Sequence, residues 1–427
     1  MRELTARGNF WLPETPDRKV GGVLEFHPGE GGKLSLIGEL SEPWSSRAES
    51  RTSGRIVGQS GSKYLTLDNC FQTYHQMGSG LGLEEFRVGK IFHGALYAKD
   101  EETVFDRLSV DLRYLFEWIG WSGLQEEHGQ DESTSLPKST ISVTKLEPLK
   151  AQLADGVEVT IAHGIGYTGK KKARSLTQGA RVAFDFGSPR SLEEVGAYAT
   201  AVQDLVSIAT DEVAEFDEFQ LSHPDFEDSL PSGTTYRQYV DFYVEWRARS
   251  FSTKDLNPHR MPFSFDAIGG LAGVVEWLNQ TADLRPLLNR VMGTRYPKRM
   301  YADDRFFNRC AALEGLHRLV KGTKNTKFGR RLDELSAWAG PPFERLVGDV
   351  SAWRDLVRDE RDDHAHHLSS ALGATGASRY YLADSAYWLF VFCLLRRCNY
   401  PEEVFASIEK CASVEWLRER LAELMSS

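Results

Sequence analysis

Between Trp353 and His367 the chain reads Trp-Arg-Asp-Leu-Val-Arg-Asp-Glu-Arg-Asp-Asp-His-Ala-His-His, which sets three of its 11 histidines within four positions beside arginines and carboxylates. An imidazole gives or takes a proton near neutral pH, and a guanidinium offers a planar fork to a phosphate. Histidine and arginine gathered in this way suit phosphoryl chemistry without a metal. Asp362 with His366, and Asp363 with His367, are i,i+4 pairs. On a helix each carboxylate can orient an imidazole and favour its charged form. Arg361 and His366 are a harder match, because a separation of five residues is about 140° around an ideal helix. They share a face only through the length of the arginine, a break near the helix end, or a second copy of the motif from a dimer partner, which makes the site composite. Zinc is a rival use of His364, His366 and His367, but three imidazoles need a fourth ligand that the scattered cysteines do not supply by spacing. The plainest alternative is a solvated, charge-rich helix face.

A second feature lies upstream. From Arg318 to Arg331 no acidic residue occurs, while Arg318, Lys321, Lys324, Lys327, Arg330 and Arg331 are basic, many at three-residue steps. A strand of phosphates is attracted to such a patch in a salt-dependent way, so Lys321, Lys324, Lys327, Arg330 and Arg331 are RNA-binding candidates; a solvated connector between helices is the other reading. Gly164-Ile165-Gly166-Tyr167-Thr168-Gly169-Lys170-Lys171 satisfies GxGxxG and nearly a phosphate loop, yet Lys171 stands where a hydroxyl is needed and no helix follows to receive a phosphate. It reads as a glycine-rich hairpin loop with a basic tip.

The elements that carry these residues change character along the chain. Val23–Phe26 and Lys33–Ile37 flank the turn-rich Pro28–Gly32 and predict a hairpin. Tyr64–Leu67, Arg87–Phe92, Leu108–Leu112, Val157–Ile161 and Arg181–Phe186 alternate with period two, as in an antiparallel sandwich or barrel. Ser122–Thr140 is polar and acidic and reads as a surface loop. Ser191-Leu192-Glu193-Glu194 is a capping box that opens a helix running to about Asp211. Strand-like runs follow at Glu215–Leu221 and Tyr239–Trp246, and a boundary falls near Thr253–Pro262. Beyond it the period becomes 3.6, with helices expected at Ala267–Thr281, Asp303–Val320, Phe328–Ala339, Phe343 to about His366, Tyr380–Cys398 and Glu402–Leu424. The fold class is therefore α+β and multidomain: an N-terminal antiparallel β-rich sandwich or barrel-like domain with an inserted helix (1–255) and a C-terminal all-α helical bundle (262–427).

Composition agrees with a globular protein. Of 427 residues 41% are hydrophobic and 26% charged, and 51 Lys+Arg against 61 Asp+Glu leave a net charge of −10. Bulk charge does not steer such a molecule to nucleic acid, so any contact there is local. Cys70, Cys310, Cys393, Cys398 and Cys411 contain no CxxC pair and read as reduced thiols. The longest apolar run, Tyr387–Leu395, is about half of the ~20 residues a membrane crossing requires. With no signal-peptide core near Met1, a cytoplasmic, non-membrane location is expected.

Gly8–Pro13, Gly22–Phe26 and Leu34–Gly38 resemble the β-rich N-terminal domain of ApeA anti-phage proteins. Arg361-Asp362 followed by His366, within Pro262 to the end, resembles the Arg, polar residue, three residues, His signature of their HEPN domain. The resemblance implies a metal-independent endoribonuclease of an abortive-infection system, active as a homodimer or higher homo-oligomer, without cofactor. By that analogy His366 is the general base or acid while the RNA 2′-hydroxyl attacks its own phosphate, and Arg361 stabilises charge growing on the phosphoryl oxygens. Asp362 would position either one, His367 is the substitute imidazole, and Glu314 would pair with a motif arginine across the bundle. The implied partners are RNA, transfer RNA or message, and a phage-encoded trigger sensed by the β domain. Two rivals keep the bundle inert: an RNA-binding module that does not cut, and a phage-sensing regulatory protein.

Overall fold

The computed structural model describes residues 1–40, 52–76, 82–99, 102–130, 133–134, 136–229, 233, 235–245, 256–257, 260–297, 299–367 and 376–426, without the side chains of 52, 53, 228, 236 and 363–367. The first six strands are β1 (Leu4–Trp11), β2 (Val20–His27), β3 (Gly31–Ile37), β4 (Thr52–Ser60), β5 (Lys63–Gln76) and β6 (Leu83–His93). They pair antiparallel in the order β6-β3-β2-β1-β4-β5, and β5 returns to β6, closing a six-stranded barrel. Closure removes the exposed edges that an open sheet would present. Alternation drives it. In β3, Leu34 and Leu36 are buried while Lys33 and Ile37 face out, and the inward rows meet as a barrel core of Phe10, Leu24, Phe26, Leu65, Leu67 and Phe86 among others.

β6 does double duty. One edge pairs with β5; the other pairs with β3 over Leu83–Val88 and then with β16 (Val240–Val244) over Lys90–His93. From β16 the sheet continues through β13 (Phe216–Ser222), β7 (Val104–Leu112), β12 (Ala173–Ser191) and β11 (Glu158–Lys170) to β10 (Leu149–Gln152). Two small ribbons complete the β part, β8 (Leu124–Gln130) with β9 (Pro137–Val143), and β14 (Glu227–Ser229) with β15 (Thr235–Arg237). The first of these corrects the expected loop at Ser122–Thr140. Its side chains are exposed on both faces along nearly its whole length, so no buried alternation marks it in the sequence.

The helices are α1 (Leu115–Ile119), α2 (Leu192–Thr210), α3 (Leu271–Thr281), α4 (Arg285–Met292), α5 (Ala302–Lys321), α6 (Phe328–Ala339), α7 (Pro341–Val347), α8 (Val350–His367), α9 (Gly376–Arg397), α10 (Glu402–Glu409) and α11 (Ala412–Ser426). α2 opens on the capping box, with Glu194 N–H donating to Ser191 Oγ and Ser191 N–H donating to the Glu194 carboxylate. From Ala201 to Thr210 every residue of α2 is buried. A helix buried all round lies inside a molecule, and α2 packs on β7 and β12 on one side and on α3 and α4 on the other. Trp277 Nε1–H donates to Ala201 O (2.8 Å) and Trp118 Nε1–H to Phe263 O (3.2 Å). Asp204, fully buried in α2, is held by Arg285 and Tyr296. Burial raises its carboxyl pKa, with the Arg285 charge opposing. One apolar core thus runs from Phe92 to Leu421 across strands and helices, separate from the barrel core.

Two expected helices are each divided in two. Phe343–His366 breaks at Gly348, whose φ of 72° suits glycine, and Glu402–Leu424 breaks at Lys410–Cys411. α4, with a proline in its first turn, went unread. Trp246 and half of the expected boundary at Thr253–Pro262 lie outside the described residues. No described helix is long and apolar enough to cross a membrane.

Candidate active site

α8 carries the Arg/His cluster, and its start is set locally. Asp349 Oδ1 accepts from the N–H groups of Ser351 (2.8 Å) and Ala352 (3.0 Å), satisfying two of the helix's orphan donors. Trp353, Val357 and Glu360 form the buried stripe. Trp353 packs edge-on against Phe343 and its Nε1–H donates to Ser385 Oγ of α9 (2.8 Å). Glu360 is 0% exposed and pairs with Arg379 at the start of α9, which also reaches Asp303 of α5 (2.7 Å). This chain ties three helices together one residue before Arg361. A carboxylate at i+7 from Trp353 and i+3 from Val357 falls on an apolar stripe. That pattern announces a buried partner, and sequence reading overlooked it.

Arg361 faces α5 and α6. Its Nη2 donates to Glu314 Oε2 (3.2 Å), its Nη1 to Asp362 Oδ1 (3.3 Å), and the guanidinium lies 4.5 Å from the centre of the Phe328 ring. Glu314 also accepts from Arg318 one turn later on α5 (2.6 Å). Arg361 is 31% exposed and Glu314 23%, so solvent reaches the pair. The stacking on Phe328 fixes the plane of the guanidinium and leaves part of its edge open. Arg354 and Arg358 extend the row along α8. Arg354 pairs with Asp333 (3.1 Å) and Asp355 (3.0 Å), and Arg358 with Asp355 (2.7 Å) and Asp359 (2.7 Å). Arg354 beside Asp355 holds that carboxyl below its usual range.

His364, His366 and His367 lie on the last turn of α8, and their side chains are outside those described. The backbone stays helical through His367. A break between Arg361 and His366 is therefore absent. Along an unbroken helix the two positions remain about 140° apart.

The basic stretch divides. Lys321, Lys324, Lys327 and Arg330 are exposed, the last paired with Glu334 (2.9 Å). Lys327 adjoins Phe328, which places its exposed backbone position next to the Arg361 stack. Arg331 is a correction: it is 1% exposed and does not belong to this surface. Its Nε donates to Thr326 O (2.9 Å), its Nη2 to Lys324 O (3.0 Å) and its Nη1 to His317 Nδ1 (3.1 Å). An arginine can only donate, so Nδ1 of the fully buried His317 accepts and its Nε2–H donates to Glu334 Oε2 (2.7 Å). The His317 hydrogen bond keeps the Glu334 carboxyl below its usual range. Arg331 thus shapes the loop that displays Lys324 and Lys327, and its burial keeps it from a phosphate at the surface. Composition could not tell it from its neighbours; its place on the inward face of α6, beside Phe328, Leu332 and Leu335, could have.

All five cysteines are free and buried. Burial pushes the Cys310 thiol up to about 12, against a lowering by the nearby Arg361 charge, so no thiolate nucleophile is available there.

Neither the curated proteins nor the solved structures contain a match to the chain. The family described as ApeA N-terminal domain 1 matches residues 5–277, from β1 through the barrel, the sheet and α2 into α3. With nearly two thirds of its length matched, the chain belongs to the ApeA N-terminal domain 1 family.

Proposed function

We propose that this protein is an effector of anti-phage defence whose helical part, resembling a HEPN domain, is a metal-independent endoribonuclease. The observation that carries this is the presentation of Arg361: stacked on Phe328, tethered by Glu314, partly open to solvent and bordered by the exposed Lys324 and Lys327 loop. Such a guanidinium suits charge stabilisation on a phosphoryl oxygen. His366 supplies proton transfer as the 2′-hydroxyl attacks the adjacent phosphorus, expelling the 5′-oxygen and leaving a 2′,3′-cyclic phosphate. Because α8 runs unbroken through both positions, a composite site with Arg361 and His366 from two copies is the favoured assembly. The division at 255/262 assigns sensing of a phage component to the β part and cutting to the helices.

The test incubates purified wild type, Arg361→Ala and His366→Ala with total RNA in EDTA, with and without phage lysate, and scores cyclic-phosphate ends. Cleavage by wild type alone supports the reading. Wild type that binds RNA without cutting it favours a non-catalytic RNA-binding role, which the existing ion pairs of Arg361 with Glu314 and Asp362 also suit. Protection of cells that persists in both variants favours a regulatory, phage-sensing role.

A further inference from the structure

β11 and β12 outrun the sheet that contains them. β10 flanks β11 only over Glu158–Ile161, and β7 flanks β12 only from Val182 onward. The nine cross-strand pairs from Ala162↔Arg181 to Lys170↔Ala173 therefore have no further strand beside them. The first of them are packed, with His163 and Ala180 buried, and the five from Gly166↔Thr177 outward project as a two-stranded arm, roughly 17 Å long at ~3.4 Å per residue. Gly169 makes its tip. It sits at φ +127°, and a Cβ there would lie 2.3 Å from Ala173 O, so glycine lets the strands close over the two-residue turn Lys171–Lys172.

The arm's charge is of one sign. Residues 164–179 hold Lys170, Lys171, Lys172 and Arg174 and no acid, on a chain of net charge −10. All four cations are exposed. The register puts Tyr167 opposite Leu176 and Gly169 opposite Arg174, so Tyr167 and Arg174 project from one face while Thr168, Lys170 and Ser175 project from the other. Tyr167 is 68% exposed. A large aromatic held out in water beside a cation has the make-up of a platform on which an unpaired base stacks while the cations follow the phosphates. Bases in a duplex are already stacked and not open to the tyrosine.

We propose that this arm binds single-stranded nucleic acid, with Tyr167 stacking on a base and Lys170, Lys171, Lys172 and Arg174 contacting the backbone. The proposal stands apart from cleavage at α8, since it requires no chemistry there.

The experiment titrates a fluorescent 12-nucleotide oligouridine by anisotropy, in EDTA and in an Arg361→Ala background so that no cutting intervenes. The combined K170A/K171A/K172A/R174A variant is expected to raise Kd at least tenfold in 150 mM salt and to flatten the slope of log K against log salt by about 3, from ~0.7 per phosphate contact on single strands. Tyr167→Ala is expected to weaken binding at least fivefold, with recovery in Tyr167→Phe and no effect on an abasic oligomer. The substituted positions, Tyr167, Lys170–Lys172 and Arg174, are exposed and lie outside both cores, so unchanged melting temperatures confirm intact folds. An unchanged Kd in the fourfold variant overturns the proposal. So does indifference to Tyr167, or equal affinity for duplex DNA or for phosphatidylserine vesicles, each of which marks a general polyanion contact. Arm-dependent binding without any cleavage by wild type would sink the nuclease reading and leave this one standing.

Discussion

Removing Arg379 tests the joint beneath Arg361. In the folded chain Glu360 is 0% exposed and Arg379 14%, and Arg379 also spans to the half-exposed Asp303. Deleting one partner of a buried pair weakens the compensation of the other charge, at up to about 3–5 kcal/mol. For a large domain that corresponds to a fall in Tm of roughly 6–12 °C, at ~2 °C or slightly more per kcal/mol. Arg379→Ala and Glu360→Ala should each show this loss in urea and thermal melts followed by tryptophan fluorescence, since Trp353 sits on the same stripe. The double variant should lose much less than the sum, with a coupling of about 2 kcal/mol or more. Additive losses, or a change under 1 kcal/mol in either single variant, would show that the pair does not organise this end of α8. A functional corollary follows: the lesion should reduce RNA cleavage more than it reduces RNA affinity, because it disturbs the position of Arg361 and not the lysine loop.

On the proposed function Glu314 competes with phosphate for Arg361, so Glu314→Gln, which keeps shape but removes the charge, should raise RNA affinity by up to about fivefold, roughly 1 kcal/mol for a partly exposed pair, as read by anisotropy. Arg331→Met should cost about 3 kcal/mol or more in urea melts by stranding His317 and the carbonyls of Thr326 and Lys324, whereas Lys324→Ala with Lys327→Ala should leave stability intact and flatten the salt dependence of RNA binding by about 1.4. Asp111 offers a pH test. Burial, aided by the Asp217 charge, pushes its carboxyl up to about 6. A raised carboxyl pKa means the folded state holds the proton more tightly, so stability is fully present below about pH 4 and is lost as pH rises to about 6. Asp111→Asn should therefore gain up to about 3 kcal/mol over wild type at pH 8, and the gain should vanish below pH 4.

Local patterns were legible where one face is buried. Leu34 and Leu36 against Lys33, or Val182 and Phe184 against Arg181 and Ala183, write the sheet directly into the sequence, and Ser191 with Glu194 announces α2. Barrel closure was not legible, because the pairing of β5 with β6 and of β6 with both β3 and β16 is decided by long-range register. The exposed ribbon at Leu124–Val143 carried no alternation to read. In the candidate site, the charge cluster of α8 could be singled out by residue type and helical spacing, and Glu314 only as an expected partner of a motif arginine across the bundle. Arg331 could not be told from Arg330 by composition, since only the rotation of α6 sends one inward to His317 and the other out to Glu334.

The sealing of α2 between sheet and helices bears on how this protein can be dissected. A fragment ending near residue 255 would strip Trp277, Arg285 and Tyr296 from α2 and open its apolar length to water, while the complementary fragment would lose the floor on which α3 and α4 rest. Expressed separately, the two pieces should be insoluble or seek each other out. Co-expressed, they should co-purify, so a nick in the connecting stretch would not by itself release the helical part.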